Sequence, residues 1–387
     1  MIDIKHCVKD HGSRNTPLNF EEAYELGIHM LDGCRGNKLA QIQSIATLSL
    51  LHTKATYSWY WTNQQSRVHK HRLSSNAAEQ IAGICATIFK EDIAKSEFGF
   101  LQPKVPYAMD NCGMGGDLIV TANVSTIAAL IAAVAGIPMC KHGSPANADK
   151  GRHGSSDFIE LCGINNFASK TEIENCVENL CFGYTEALDT RYKLIHLQTH
   201  EVAKLPHMND IIGPITNPLD PKILRRRVLG LNHLIPPAIA AQAYQTLNER
   251  GVTFLEHGLF VRGFGDNGED SGMDELSICK GGTQVAELKN GEIREYWLYA
   301  EDFGIRPMPE SSISPPPGMS KGDFSLAILK REITGAPVQM IAANAALLFY
   351  LAERSQDLKE CYRMAEEILL NGKAYQKMLA VQQTVPK

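Results

Sequence analysis

Apolar positions recur at helical spacing through the first hundred residues, then give way to short strand-like runs after Lys104. FEEAYELGIHMLDG, which follows Asn19, predicts a helix. Asn is a good N-cap, Glu21 and Glu22 suit the positive end of the helix dipole, and Gly33 is a stop signal. LAQIQSIATLSLLHTKA and NAAEQIAGICATIFKEDIA predict two further helices. Between them lies an aromatic, basic insertion, residues 57–75, which reads either as a packed insertion or as a ligand lid or partner surface.

From Lys104 onward, VPYAMDNCGMGGD predicts a strand running into a Gly-rich turn, STIAALIAAVAG a small-residue helix, and IPMCKHG a buried strand. An Ala-rich helix packs tightly on a sheet, so the expected class is α/β. VTFLEHGLFVRGFGD, TQVAELKNGEIREYWL and the helices after Ser325 continue the alternation, with a hairpin turn at Asn290 and Gly291. SSISPPPGM reads as a surface loop, and no repeat of fixed period is present.

Composition narrows the function. The 387 residues carry 38 Lys and Arg against 43 Asp and Glu, a net charge of −5. A mildly acidic chain without a basic block argues against nucleic acid as the main partner. The ten cysteines form no CxxC pair and are expected as free thiols in a reducing compartment. The most apolar stretch, Ile127 to Cys140, is interrupted by Gly136 and Pro138 and falls short of the ~20 residues a membrane span needs. The N-terminus lacks the apolar core of a signal peptide, so a cytoplasmic protein without membrane association is expected.

Four segments carry candidate chemistry. GMGGD, Gly113 to Asp117, precedes Asn123, Ser125 and Thr126 at a predicted helix start. It is either a phosphate cradle, with backbone N–H groups and a helix N-terminus turned to an anion, or a tight turn with a cap. It is neither a Walker loop nor GxGxxG. CKHG places Lys141 at a strand end, where it meets an anionic ligand or closes a polar turn. DKGRHGSSD, Asp149 to Asp157, offers hydroxyl and N–H donors to a phosphate or is a capped loop. GMDELS holds adjacent Asp274 and Glu275, either solvated or holding Mg²⁺ together with substrate phosphates.

In order, the chain carries GMGGD, NVST, KHG, DKGRHGSSD, IIGPITNPLDP, LGL, GMDELS and, in NAALLFYLAE, NAA. This succession resembles the anthranilate phosphoribosyltransferase family, whose pattern is GTGGD, NIST, KHGN, SGSAD, GPLTNP, DE and NAA. The resemblance runs from about Asn19 to Lys377. It implies a small helical domain, residues 1–104 joined by 185–212, and a larger α/β domain, residues 105–184 and 213–387. The latter has a central sheet flanked by helices, with the active site in the hinge cleft between domains.

The implied reaction transfers phosphoribose from phosphoribosyl pyrophosphate (PRPP) to a small aromatic acceptor, in a homodimer formed through the helical domain. Carried over by motif, Gly113, Gly115, Gly116 and Asp117 border PRPP, and Asn123, Ser125, Thr126 and Lys141 contact its phosphates. His142, Gly143, Lys150 and Ser155 complete that set, His142 either near the ribose or as a turn histidine. Ser125, Asp274 and Glu275 are the implied Mg²⁺ ligands.

The chain also departs from the pattern. Met114 stands where the family has Thr, and Ser144 and Pro145 replace the Asn-Arg after KHG. The family's His-His-Pro element is absent, and with Asn209 as anchor Leu205 occupies the position of the Arg that meets the anthranilate carboxylate. Arg191 and Lys204 are the candidate substitutes. The expected enzyme is therefore a Mg²⁺- and PRPP-dependent phosphoribosyltransferase whose acceptor is open. The alternatives are a nucleoside phosphorylase or a non-catalytic ligand-binding relative.

Overall fold

In the computed structural model, which describes residues 18–43, 46, 70–146, 154–195, 209–232 and 235–387, the expected first helix is Phe20–Cys34. Asn19 and Glu22 cap it reciprocally: Glu22 N donates to Asn19 Oδ1 at 3.0 Å and Asn19 N to Glu22 Oε2 at 2.9 Å. Most of the second predicted helix, residues 57–69 of the insertion, Lys150 and Lys204 lie outside the described residues.

The chain divides into two compact units. The first comprises Met1–Phe100, Ala187–Pro218 and Leu234–Phe254. Its helices Phe20–Cys34 and Pro237–Glu249 both pack on Lys70–Thr87, and Gly27 and Gly83 permit the close approach of the first pair. A Cβ on Gly83 would lie 2.4 Å from the Phe20 carbonyl oxygen, and one on Gly27 would lie 2.3 Å from Thr87 Oγ1. The Pro237–Glu249 helix packs here because its apolar face meets the Lys70–Thr87 helix, whereas the sequence reading left that segment with the α/β domain.

The second unit comprises Leu101–Glu186, Leu219–His233 and Leu255–Lys387. Its strands are β1 Ala108–Gly113, β2 Met139–Gly143, β3 Phe182–Glu186, β4 Leu224–Gly230, β5 His257–Gly265, β6 Gly268–Met273, β7 Thr283–Lys289 and β8 Glu292–Leu298. They form one sheet in the order β3-β2-β1-β4-β5-β7-β8, with β6 also paired to β5. β1 to β5 run parallel and β6, β7 and β8 extend the sheet antiparallel. β7 and β8 are joined at Asn290 and Gly291, with φ of 51° and 86°, the left-handed pair a two-residue hairpin needs.

The helices Val124–Val134 and Ala336–Leu351 are buried nearly throughout and pack together beside the parallel strands, their alanines allowing close approach. The class is α/β, a central sheet flanked by helices, as the alternating pattern predicted. No helix among the described residues is long and apolar enough to cross a membrane, and the nine described cysteines are free thiols.

Candidate active site

Strand order reverses between β1 and β4, so the carboxyl ends of these two strands mark the point where open α/β sheets gather ligands. Gly113 and Gly230 face each other there in register. Neither tolerates a side chain. A Cβ on Gly113 would sit 1.9 Å from Asp274 Oδ2, and one on Gly230 would sit 1.5 Å from the Asp274 carbonyl oxygen. The two glycines form the slot that seats Asp274.

The GMGGD turn closes over this slot. Gly115 N donates to Asp274 Oδ2 at 2.6 Å, and Asp274 N donates to Asp117 Oδ1 at 2.7 Å. Asn232, just beyond β4, donates from Nδ2 to the Gly115 carbonyl at 2.9 Å. Gly115 and Gly116 take φ of 80° and 81°, open to glycine and strained for other residues. A Cβ on Gly116 would also come within 2.8 Å of Asn232 Nδ2. Gly116→Val therefore combines left-handed strain of roughly 1–2 kcal/mol with loss of the Asn232 anchor. Binding of pyrophosphate should weaken about tenfold or more, at 1.4 kcal/mol per decade. Calorimetric titration checks this, and unchanged affinity in a folded variant would make the turn purely structural.

Asn123 precedes the Val124–Val134 helix, and both its N–H and its Nδ2 are fixed on Ser325 Oγ, at 2.7 and 3.1 Å. Asn111 Nδ2 holds the Ser125 carbonyl at 2.7 Å. Thr126 is buried, yet its Oγ1 has no protein hydrogen-bond partner. A buried hydroxyl without a partner in the first turn of a helix, beside the N–H groups of Val124 and Ser125, is an arrangement a phosphate oxygen satisfies.

Carboxylate oxygens of Asp117, Asp274 and Glu275 lie within 4.8 Å of one another. Glu275 accepts from Thr121 Oγ1 at 3.0 Å, and Asn344, from the NAA motif, clamps the adjoining Leu276 backbone with bonds of 3.0 and 2.9 Å. Burial, and then the charge of Asp274, pushes the Glu275 carboxyl up to about 8. Burial followed by the charges of Asp274 and Glu275 raises Asp117 well above the usual carboxylate range. Lys321 opposes both shifts. Three crowded carboxyl groups, with Asp117 and Glu275 both pushed toward the protonated form, fit a divalent cation, which would remove the repulsion. Sequence reasoning placed Asp117 beside the ligand and missed its place in this trio.

At the end of β2, Lys141 and His142 are each 1% exposed, and Lys141 Nζ donates to the His142 carbonyl at 3.0 Å. Burial lowers the Lys141 pKa. Gly143 packs against Ser155, whose Oγ would lie 1.8 Å from a Cβ there. Arg191 belongs to the other unit. Its Nε donates to both Asp189 oxygens at 2.9 Å, and its guanidinium lies 5.2 Å from the centre of the Phe98 ring. Asn232 and Ser325 carried no motif signal of their own, and Gly230, inside LGL, carried no assigned role, because each acts through a residue distant in the chain.

Residues 105–375 match the family described as Glycosyl transferase family, a/b domain. The anthranilate phosphoribosyltransferase of Clostridium kluyveri is 34% identical over 282 residues, covering 71% of this chain and 76% of the relative. The chain belongs to the anthranilate phosphoribosyltransferase family. The Aeromonas salmonicida member is 30% identical over 306 residues, covering 78% of this chain and 83% of its own.

The family fold extends over almost the whole chain. The Thermus thermophilus anthranilate phosphoribosyltransferase superposes with a TM-score of 0.72 at 24% identity, covering 98% of both chains. The Saccharomyces cerevisiae enzyme in complex with PRPP and Mg gives 0.71 at 19%, covering 98% of this chain and 97% of its own. As a family member the protein is a phosphoribosyltransferase, one of the glycosyltransferases.

Proposed function

We propose that the protein transfers 5-phosphoribose from PRPP to the nitrogen of an aromatic or heteroaromatic acceptor, with Mg²⁺ bound. The observation that carries this reading is the trio Asp117, Asp274 and Glu275 seated under the glycine turn, at the edge of a helix start with an unpartnered Thr126 hydroxyl. Asp117, Asp274 and Glu275 would hold Mg²⁺, which offsets charge on the leaving pyrophosphate. The N–H groups of the Val124 helix start, with Thr126, bind phosphate oxygens beside the glycine turn. The bond from the anomeric carbon to pyrophosphate breaks, the bond to the acceptor nitrogen forms, and the nitrogen releases a proton to water. Alignment and fixed charge supply the rate enhancement. Titration of PRPP with Mg²⁺ and again in EDTA tests this. Binding should require Mg²⁺; equal affinity in both removes the metal role, and no binding in either removes the donor.

Anthranilate is expected to be a poor acceptor. Leu205 stands where the family has the carboxylate-binding Arg. Of the two candidate substitutes, Arg191 is already neutralised by the buried Asp189. A charge-assisted hydrogen bond contributes roughly 1.5–3 kcal/mol net, about one to two decades of affinity. The check is PRPP consumption with millimolar anthranilate beside a panel of aromatic amines and nucleobases. Efficient anthranilate turnover would overturn the expectation, and its loss in Arg191→Ala or Lys204→Ala would then identify the substitute cation.

A further inference from the structure

The backbone ladder between β1 and β2 closes at Met109↔Met139 and goes no further. β1 nevertheless continues beside β4 to Gly113↔Gly230, and β2 beside β3 to Gly143↔Glu186. The two strand ends that carry GMGGD and KHG are therefore not joined by their own backbones. A charged network takes that place. His142 N donates to Asp110 Oδ1 at 3.1 Å, and Arg227 Nη2, from β4, donates to Asp110 Oδ2 at 2.8 Å and to Cys112 Sγ at 3.2 Å.

The side chains of Asp110 and Arg227 are both fully buried. Lys141, also buried, lies beside this network and donates from Nζ to the His142 carbonyl at 3.0 Å. Burying an ion pair costs as much desolvation as it returns, and an apolar pair of similar volume is often at least as stable. Fold stability alone does not explain why the floor of a site is built this way. Registry of two strand ends does, because the Asp110 carboxylate is the link between His142 on β2 and Arg227 on β4.

We propose that Asp110 and Arg227 are positioning residues for phosphoribosyl transfer, setting the Lys141–Gly143 strand end relative to the glycine turn and the acidic trio. The inference rests on the PRPP reading above. Arg227→Lys keeps the charge but loses the planar guanidinium that sets Nη2 between Asp110 and Cys112. In the folded variant the KM for PRPP should rise three- to tenfold with kcat within about twofold of wild type. Asp110→Asn with Arg227→Met removes both charges without leaving either buried alone. It should raise that KM more than tenfold, and hydrogen exchange at the His142 amide should quicken in both variants.

A purely structural pair would lower thermal stability and leave KM and His142 exchange as in wild type. That result in Arg227→Lys overturns the proposal even if the double variant does not fold. Wild-type protein that neither binds nor consumes PRPP would instead overturn the donor reading, so the two failures are distinct.

Discussion

Asp274→Asn with Glu275→Gln should reduce turnover by at least about 10³-fold while leaving the fold intact. Removing one fixed charge-stabilising group from a site of this kind costs 10² to 10³ in rate, and here two of three carboxylates go together. The same substitution should change the pH dependence of stability in metal-free protein, with a definite sign. Glu275 is pushed up to about 8, largely by burial and then by Asp274, from an ordinary 4.5. The folded chain thus holds this proton more tightly than the unfolded chain, and the resulting stability is complete below 4.5. It is lost as pH rises through about 8. Thermal denaturation in EDTA at pH 5, 6, 7 and 8 should show Tm falling for wild type and a shallower fall for the double variant. Mg²⁺ with PRPP should suppress the slope. An active double variant, or a wild-type Tm that rises across this range, would sink the assignment.

Elements set by neighbouring residues were legible from the chain. Asn19 caps its helix as predicted, and Glu22, three residues on, completes the cap. Asn290 and Gly291 make the hairpin because both residues tolerate positive φ. The strand, glycine turn and helix start around GMGGD were legible in the same way, as successive local signals. Connections made across the chain left no such trace. Asp117 meets Asp274 at a separation of 157 residues, Thr121 meets Glu275 at 154, and Arg227 meets Asp110 at 117. No periodicity encodes those partners; the strand order creates them. The Pro237–Glu249 helix shows the same division, since the sequence reading assigned its segment to the α/β domain and the fold packs it in the first unit.

Gly230→Ala should cost 10² to 10³ in kcat/KM for PRPP, although Gly230 lies in no motif that binds a ligand. The added Cβ would fall 1.5 Å from the Asp274 carbonyl oxygen and 3.3 Å from Gly113 Cα. A flexible side chain could turn away from such a contact, but a backbone carbonyl moves only with its segment. Asp274 is also held from two other directions, by its own N–H on Asp117 and by Gly115 on its Oδ2. Relief of the clash therefore displaces the carboxylate trio or opens β1 from β4. Loss of a preorganised charge group corresponds to about 2.7–4 kcal/mol of transition-state stabilisation. Overpacking adds typically 1–3 kcal/mol of destabilisation. Gly251→Ala is the control: φ there is +64°, with nothing within 4 Å of a Cβ, so it carries only left-handed strain of roughly 1–2 kcal/mol. The two variants should lose comparable thermal stability and differ at least about thirtyfold in kcat/KM. Equal activities would mean that Asp274 does not need the glycine slot to do its work.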